Sequence, residues 1–273
     1  MRNRHTMAGI ARFDGVGIHS GLRSAVTVSP LSKGTGIYFG FGGVIYPVRD
    51  ARTMDVRRST ALMFPGGETV QTVEHLMSAI AGVGLDDVLI EPEGSEMPIL
   101  DGSSLPYAER IMEIGLEERD EPVKTQALSV PVFLNLDGST ITAAPSSETR
   151  LTYIIDYPGT WIGTEMKDVI LTPEVYLEEI APARTFGLQS EVESLRASGL
   201  GLGGDFDNVM IIGDDGPLNC LGYRVERECA AHKILDLLGD LLTLGVVPRA
   251  HYTCICGGHR LHSKLTDRLK RLV

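Results

Sequence analysis

The segment ECAAHKILDLLGD, residues 228–240, constrains the fold most, because it predicts a helix that is apolar almost all round. A helix of that kind is normally buried. Yet His232, Asp236 and Asp240 recur every four residues, so they share one side of the helix, with neighbouring Cβ atoms ~5–6 Å apart. An i,i+4 charge pair on a solvated face is the simpler interpretation of this spacing. A buried carboxylate, however, needs a partner or a metal ion, and the surrounding leucines therefore favour a metal site.

The rest of the chain predicts two α+β domains of similar plan, residues 1–119 and 120–273. A length of 273 residues suits one large or two small domains. In each half, short runs of strand-like alternation are interspersed with amphipathic helices, which favours helices segregated on one face of a mostly antiparallel sheet. The polar stretch EERDEPVKTQ is predicted to be the linker, and no letter-by-letter repeat relates the halves.

Composition restricts the partners and the compartment. A net charge of −11 disfavours nonspecific binding to nucleic acid or anionic lipid, so we expect no nucleic-acid partner. No apolar run reaches the ~18 residues of a membrane span, and the N-terminus lacks the apolar region of a signal peptide. The four cysteines have no C-x-x-C spacing and are expected to be buried thiols. These features predict a cytoplasmic protein.

A catalytic zinc ion usually has three protein ligands, so a third ligand must come from outside this helix. His75 in QTVEHLMSAIAG is the best candidate, because Glu74 directly precedes it at a predicted helix start. Adjacent residues point in different directions, so one can bind the metal while the other reaches a water molecule, as in H-E-x-x-H metalloproteases. A glutamate at a helix N-terminus also matches the helix dipole without any catalytic role.

Two further stretches place polar side chains where they can reach a cleft. CGGHRLH has His259 after a glycine pair at a strand end, although a surface-turn histidine is the alternative. APARTFGL ends a helical stretch with Thr185, for which capping a turn is the alternative. The glycine-rich GLGLGGDF lacks the strand–turn–helix frame of a dinucleotide loop, and we reject that interpretation.

Seven motifs together resemble the UDP-3-O-acyl-N-acetylglucosamine deacetylases, the zinc amidases of lipid A synthesis. They are GVGIHSG, TVEHLMSAIAGVGLDD, PILDGSSLPY, ARTFG, GLGLGGDFDN, AHKILDLLGD and GGHRLH. Their order is the family's order, and the ordered set is far more specific than any one motif. The resemblance implies two β-α-α-β sandwich domains packed with their helices facing each other, and an active site between them.

The resemblance also implies roles for individual residues. His75, His232 and Asp236 match the zinc ligands, and Fe²⁺ can fill the same set. Glu74 matches the general base that activates water. His259 matches a protonated histidine that stabilises the oxyanion and protonates the leaving amine.

Other residues match supporting positions of the family's site. Thr185 matches the hydroxyl that helps to hold the oxyanion, while Lys233 and Asp240 match accessory polar residues. Asp240 is predicted to orient His259. The predicted substrate contacts are Phe186, Asp156, Tyr157, Leu188 and Gly204. Asp156 and Tyr157 lie where the family contacts the nucleotide, and an aromatic ring there can stack on uracil.

An apolar passage for the acyl chain is expected in the second half. Its candidate lining residues are Leu188, Val192, Leu195 and Leu200, for which packing into an ordinary core is the alternative. Three features depart from the family's pattern: Cys256 stands where Lys or Arg is common, His262 replaces Asn, and PGTWIG replaces the His-Pro expected after Asp156 and Tyr157. Arg260 is a candidate to supply the missing charge.

The sequence thus predicts a monomeric zinc deacetylase acting on UDP-3-O-(hydroxyacyl)-N-acetylglucosamine. It would release acetate and the free amine in the committed step of lipid A biosynthesis. A zinc amidohydrolase of another acylated amino sugar, and a non-catalytic binder on the same scaffold, are the alternatives.

Overall fold

Two five-stranded sheets and the helices packed against them form the frame of the protein. The computed structural model describes residues 2–31, 36–124 and 126–272, and the statements below refer to that part of the chain. In spatial order, the first sheet consists of β2 (Ala11–Val16), β3 (Arg23–Pro30), β9 (Val88–Glu93), β4 (Ile37–Phe41) and β5 (Val44–Pro47). The second consists of β11 (Val132–Leu136), β12 (Ser139–Ala144), β18 (His251–Ile255), β13 (Arg150–Tyr157) and β14 (Gly163–Ile170).

The two sheets share one topology. In each, the central strand pairs antiparallel with one neighbour, β3 or β12, and parallel with the other, β4 or β13. One helix precedes the central strand and another follows it. These helices are α1 (Glu74–Gly82) and α2 (Leu105–Ile114) in the first half, and α5 (Glu228–Leu242) and α6 (His259–Leu269) in the second. The predicted α+β plan of two similar units is confirmed, while the boundary after residue 119 stays a prediction.

Smaller elements are inserted ahead of the central helix in both halves. A 3₁₀ turn (Val48–Asp50) and the strands β6 (Arg52–Met54), β7 (Ala61–Met63) and β8 (Thr69–Gln71) precede α1. The elements ahead of α5 are α3 (Pro173–Val175, continued as a π-helical turn over Tyr176–Ile180), β15 (Phe186–Leu188), α4 (Gln189–Ala197), β16 (Met210–Gly213) and β17 (Gly216–Pro217). Among the described residues, no helix combines the length and the apolar character that crossing a bilayer requires.

The stretch predicted to be a linker begins instead with a strand. β10 (Leu116–Pro122) pairs antiparallel with β1 (Asn3–Met7), so the linker prediction was wrong for this part. The ribbon lies at the surface, and its glutamates are exposed. The ribbon is held by main-chain hydrogen bonds, which do not depend on side-chain type, so its charged sequence did not predict a strand. Arg119 at its centre reaches the buried carboxylate of Asp87, with a nitrogen–oxygen distance of 3.5 Å.

The four cysteines are unpaired, as expected, but they are not all buried. Cys229 and Cys254 are buried, Cys220 is half-buried and Cys256 is exposed. The expectation of buried thiols was therefore wrong for Cys256. It lies in the turn from β18 to α6 with a φ of 51°, where the chain leaves the sheet.

Helices α1 and α5 pack directly against each other and bring the two halves together. Every residue of α5 except Lys233 is buried, which confirms the prediction of a buried helix. The approach is closest at Gly239, where an added Cβ would lie 2.0 Å from the carbonyl oxygen of Glu74. Only glycine permits this distance. The crossing places the start of α1 against the side of α5 that carries His232, Asp236 and Asp240.

We expect Gly239→Ala to lower the free energy of unfolding by about 1–3 kcal/mol, because the new methyl group forces the backbone of α1 away. Urea unfolding followed by circular dichroism measures this change. Gly187→Ala is the control, since its Cβ would meet nothing within 4 Å, and it should change stability by less than ~0.5 kcal/mol. Equal stability of the two variants would show that the crossing tolerates a side chain.

Candidate active site

A cavity of about 980 Å³ is lined by residues from both halves of the chain. Most of the predicted site residues line it, and these are Glu74, His75, Thr185, Phe186, Gly204, His232, Lys233, Asp236 and His259. Asp240 lies behind His259 and contacts its ring. The cavity therefore brings together the candidate metal ligands, the candidate base and the candidate acid.

The remaining predicted substrate contacts lie outside the cavity lining. Tyr157 packs edge-on against Phe186, with ring centroids 5.8 Å apart. Asp156 is exposed, and its Oδ1 accepts a hydrogen bond from the hydroxyl of Thr164. Leu188 is half-buried in β15. Their roles in binding substrate stay predictions.

His75, His232 and Asp236 form one buried cluster. A ligand atom from each lies within 4.8 Å of the others. α1 presents His75 from its first turn, and α5 presents His232 and Asp236 one turn apart. The close crossing of the two helices is what gathers the three side chains.

The hydrogen bonds of His232 indicate that this cluster fits a cation. Its Nδ1 lies 3.0 Å from the carbonyl oxygen of Ala183, and a carbonyl only accepts, so Nδ1 has the proton. Burial lowers the pKa of His232 to about 4, so the ring is neutral and Nε2 presents a lone pair. That lone pair faces Oδ1 of Asp236 at 3.4 Å. A cation bound by both atoms would relieve the repulsion between these two acceptors.

The other two members of the cluster support the same conclusion. Burial alone would raise the pKa of Asp236, but the neighbouring Lys233 ammonium holds it well below the usual range, so the carboxylate is ionised. Burial lowers the pKa of His75. Its Nδ1 is buried without a hydrogen-bond partner among the described residues. Neutral imidazoles and an ionised carboxylate are the donor set of a divalent metal site.

Glu74 begins α1 beside this cluster. Its Oε2 accepts a hydrogen bond from the backbone N–H of Thr60 at 3.1 Å. Burial raises the pKa of Glu74 to about 8, although the neighbouring His259 lowers it. A carboxylate with a raised pKa is suited to exchange protons near neutral pH.

His259 begins α6 directly after the glycine pair of CGGH. Its Nδ1 lies 2.9 Å from Oδ2 of Asp240, and its Nε2 lies 3.8 Å from both Oε1 of Glu74 and Oδ2 of Asp236. Burial lowers the pKa of His259, but Asp240, Glu74 and Asp236 outweigh burial and raise it to about 9. The three carboxylates therefore favour the protonated form of the ring.

Lys233 and Thr185 complete the polar surface of the cavity. The Lys233 ammonium donates to Oδ2 of Asp236 at 2.8 Å and lies 5.6 Å from the ring centroid of Phe186. The backbone of Thr185 is held on both sides, because its N–H donates to Gly102 and its carbonyl accepts from Met210. These two hydrogen bonds fix the backbone of Thr185, whose side chain lies in the cavity lining.

Sequence reasoning missed Thr60 and His19. The hydroxyl of Thr60 donates to Oδ1 of Asp240 at 2.5 Å and lies 3.1 Å from Nδ1 of His259. A lone threonine in the strand motif STALMF gives no signal of this role. His19 lines the cavity. Its motif GVGIHSG contributed to the family resemblance, but nothing in the sequence was a reason to place the His19 side chain in the site.

We expect one divalent ion per chain at His75, His232 and Asp236. Asp236→Ala should remove the ion, because it deletes the charged ligand. Asp240→Ala should retain it, since that carboxylate already accepts from Thr60 and His259. Metal analysis of dialysed protein measures both. The reverse pattern would place the ion at the neighbouring cluster of Asp240, His259 and His262.

Comparisons with known proteins identify the family to which the chain is similar. A family model described as UDP-3-O-acyl N-acetylglycosamine deacetylase matches residues 4–271. A protein of Trichormus variabilis named UDP-3-O-acyl-N-acetylglucosamine deacetylase is 39% identical, over 98% of this chain and 99% of its own length. Proteins with the same name from Thermosynechococcus vestitus and Helicobacter pylori are 38% and 34% identical. The alignment with the Thermosynechococcus protein covers 96% of this chain and 92% of the relative. The alignment with the Helicobacter protein covers 93% of this chain and 87% of the relative.

Proposed function

The chain belongs to the UDP-3-O-acyl N-acetylglycosamine deacetylase family, and on that premise we propose that it removes the N-acetyl group of UDP-3-O-(hydroxyacyl)-N-acetylglucosamine. The products are acetate and the free amine, and the step belongs to lipid A biosynthesis. The observation that carries this proposal is the meeting of a three-ligand metal set, a buried glutamate and a charged histidine in one cavity.

We assign the ion as Zn²⁺, held by His75, His232 and Asp236. Two neutral imidazoles and one carboxylate are ordinary zinc ligands, and three protein ligands suit a catalytic rather than a structural site. Fe²⁺ is the second metal that this set accommodates. When bound, such an ion acts as a Lewis acid that acidifies water and polarises an amide carbonyl.

Glu74 serves as the general base that takes a proton from the attacking water. The backbone of Thr60 holds Oε2, which leaves Oε1 directed toward His259. The raised pKa makes this carboxylate a stronger base than an exposed glutamate. Burial also removes competing water from it.

His259 serves as the general acid, because an amine leaves readily only after it gains a proton. Asp240 holds Nδ1, so Nε2 is the nitrogen that donates the proton. The hydroxyl of Thr185 donates to the oxygen on which negative charge develops. The ammonium of Lys233 lies on the same wall and adds positive charge there.

The acyl chain occupies the apolar part of the cavity. Val192, Leu195 and Leu200 line it, whereas Leu188 lies outside the lining. Phe206 and Leu218 extend the same apolar surface. All three of the sequence candidates on the wall are only half-buried, so they are available to contact a ligand.

Arginines at the cavity supply positive charge for the diphosphate, although the chain as a whole is acidic. Arg57, Arg58 and Arg260 line the cavity. Arg260 is exposed and lies 3.4 Å from the nearest carboxylate oxygen of Asp137. It is the candidate to replace the charge absent at Cys256.

We further propose that the enzyme works as a monomer in the cytoplasm. The ligands, the base and the acid all come from one chain, so the site needs no second copy. The unpaired thiols agree with a reducing compartment.

We expect Glu74→Gln and His259→Ala each to lower kcat for acetate release by about 10²–10⁴-fold, because each removes one proton transfer. Both variants should retain the metal ion. Acetate release from UDP-3-O-(3-hydroxyacyl)-N-acetylglucosamine by zinc-loaded protein measures the effect. Hydrolysis of unlinked acylated glucosamines alone would favour another acylated amino sugar as substrate. Absence of hydrolysis of either class would favour a non-catalytic binder.

We expect Val192→Trp to select against long acyl chains, because the indole fills the apolar part of the cavity. Each methylene displaced costs about 0.8 kcal/mol, which is roughly fourfold in kcat/KM. The measurement compares substrates of two acyl lengths. Ser194→Trp is the matched control on α4, since Ser194 is exposed and does not line the cavity. An equal loss for both chain lengths would place the acyl chain elsewhere.

A further inference from the structure

His262 is a fully buried histidine in α6 that the mechanism above does not use. Its relative exposure is 0%, and it lies outside the cavity lining. Its Nδ1 lies 2.8 Å from Oδ2 of Asp240, and its Nε2 lies 3.0 Å from the hydroxyl of Tyr153. It therefore contacts neither a ligand in the cavity nor the candidate metal ligands.

The direction of one of these hydrogen bonds is fixed. An ionised carboxylate only accepts, so Nδ1 of His262 donates to Asp240. Burial alone would raise the pKa of Asp240, but His259 and His262 lower it, which keeps the carboxylate ionised. The hydroxyl of Tyr153 can donate to Nε2 or accept from it. In both cases the bond from His262 to Asp240 is the same.

Asp240 accepts hydrogen bonds from three donors on two sides. Oδ1 accepts from the hydroxyl of Thr60 at 2.5 Å. Oδ2 accepts from Nδ1 of His259 at 2.9 Å and from Nδ1 of His262 at 2.8 Å. These donors together fix the plane of the carboxylate. Without His262, the oxygen that faces His259 would lose half of its donors.

We propose that His262 is a positioning residue, which holds Oδ2 of Asp240 against Nδ1 of His259 and so keeps Nε2 of His259 directed at the reacting amide. The kinetic consequence rests on the proposed function, whereas the hydrogen-bond geometry does not. Nε2 of His259, the proposed acid, lies only 3.8 Å from Oε1 of Glu74, the proposed base, so a small rotation of the ring would change which group Nε2 faces. A misplacement of about 1 Å can cost ~10²-fold in rate.

A second metal ion is a poorer explanation of this cluster. Asp240, His259 and His262 have the donor types of a metal site. The nitrogen–oxygen distances of 2.9 and 2.8 Å, however, are those of direct hydrogen bonds. An ion bonded at ~2.1 Å to both atoms would separate them to roughly 3.4 Å in tetrahedral geometry.

The test compares three substitutions with one control. His262→Leu removes the donor, His262→Asn keeps an N–H group near the position of Nδ1, and His262→Gln moves that group one bond further out. His251→Leu is the control, because this half-buried histidine lies at the opposite end of β18 from the turn to His259. The readouts are kcat and KM for acetate release, bound metal, and the NMR signal of the His259 Nδ1 proton.

His262→Leu should lower kcat by about 10–100-fold and change KM by less than ~2-fold. His262→Asn should restore most of the loss, His262→Gln should not, and His251→Leu should match the parent. The His259 Nδ1 proton should exchange faster with water in the Leu and Gln variants than in the Asn variant.

A folded, metal-loaded His262→Leu protein with parental kcat and an unchanged His259 signal would overturn the inference. If the Leu variant does not fold, equal kcat and equal proton signals in the Asn and Gln variants would overturn it. If the parent does not hydrolyse the substrate, the proposed function fails. The proton signal then still decides whether His262 holds Asp240 against His259.

Discussion

The structure depends on the contact between α1 and α5, where the absence of a side chain at Gly239 lets two helix backbones nearly touch. That contact joins the two halves of the chain, and it also sets the spacing of the cluster at the start of α1. Glu74 takes part twice, because its carbonyl oxygen meets Gly239 while its carboxylate faces His259. Packing and chemistry are therefore determined by the same few atoms.

Burying three carboxylates in one place is costly unless each has partners. Glu74, Asp236 and Asp240 are all nearly inaccessible to water. The positive charge of Lys233 offsets part of this cost. The neighbouring carboxylates also raise the pKa of His259, and its protonated ring offsets a further part. Hydrogen bonds from Thr60 and His262 offset a further part of this cost, and a cation at the ligand cluster would offset more. Charges arranged in this way before substrate arrives need little reorganisation during the reaction.

Much of the site could be predicted from the sequence, because its signals are local. The helical spacing of His232 and Asp236, and the adjacency of Glu74 and His75, are visible in the letters. Features that depend on distant pairing could not be predicted. The common topology of the two sheets arises from strand pairings far apart in sequence, and the charged ribbon of β10 has no apolar alternation. Thr60 joins the site only because β7 lies beside the start of α1.

The ligand cluster takes one member from α1 and two from α5, and these are equivalent helices in the two halves. Neither half alone therefore contains the complete set of candidate metal ligands. By thermodynamic linkage, any free energy gained on binding the ion also stabilises the docked arrangement of the halves over any separated one. The proposed ion would therefore stabilise the docking of the two halves in addition to its proposed role in the reaction, and its removal would weaken that docking.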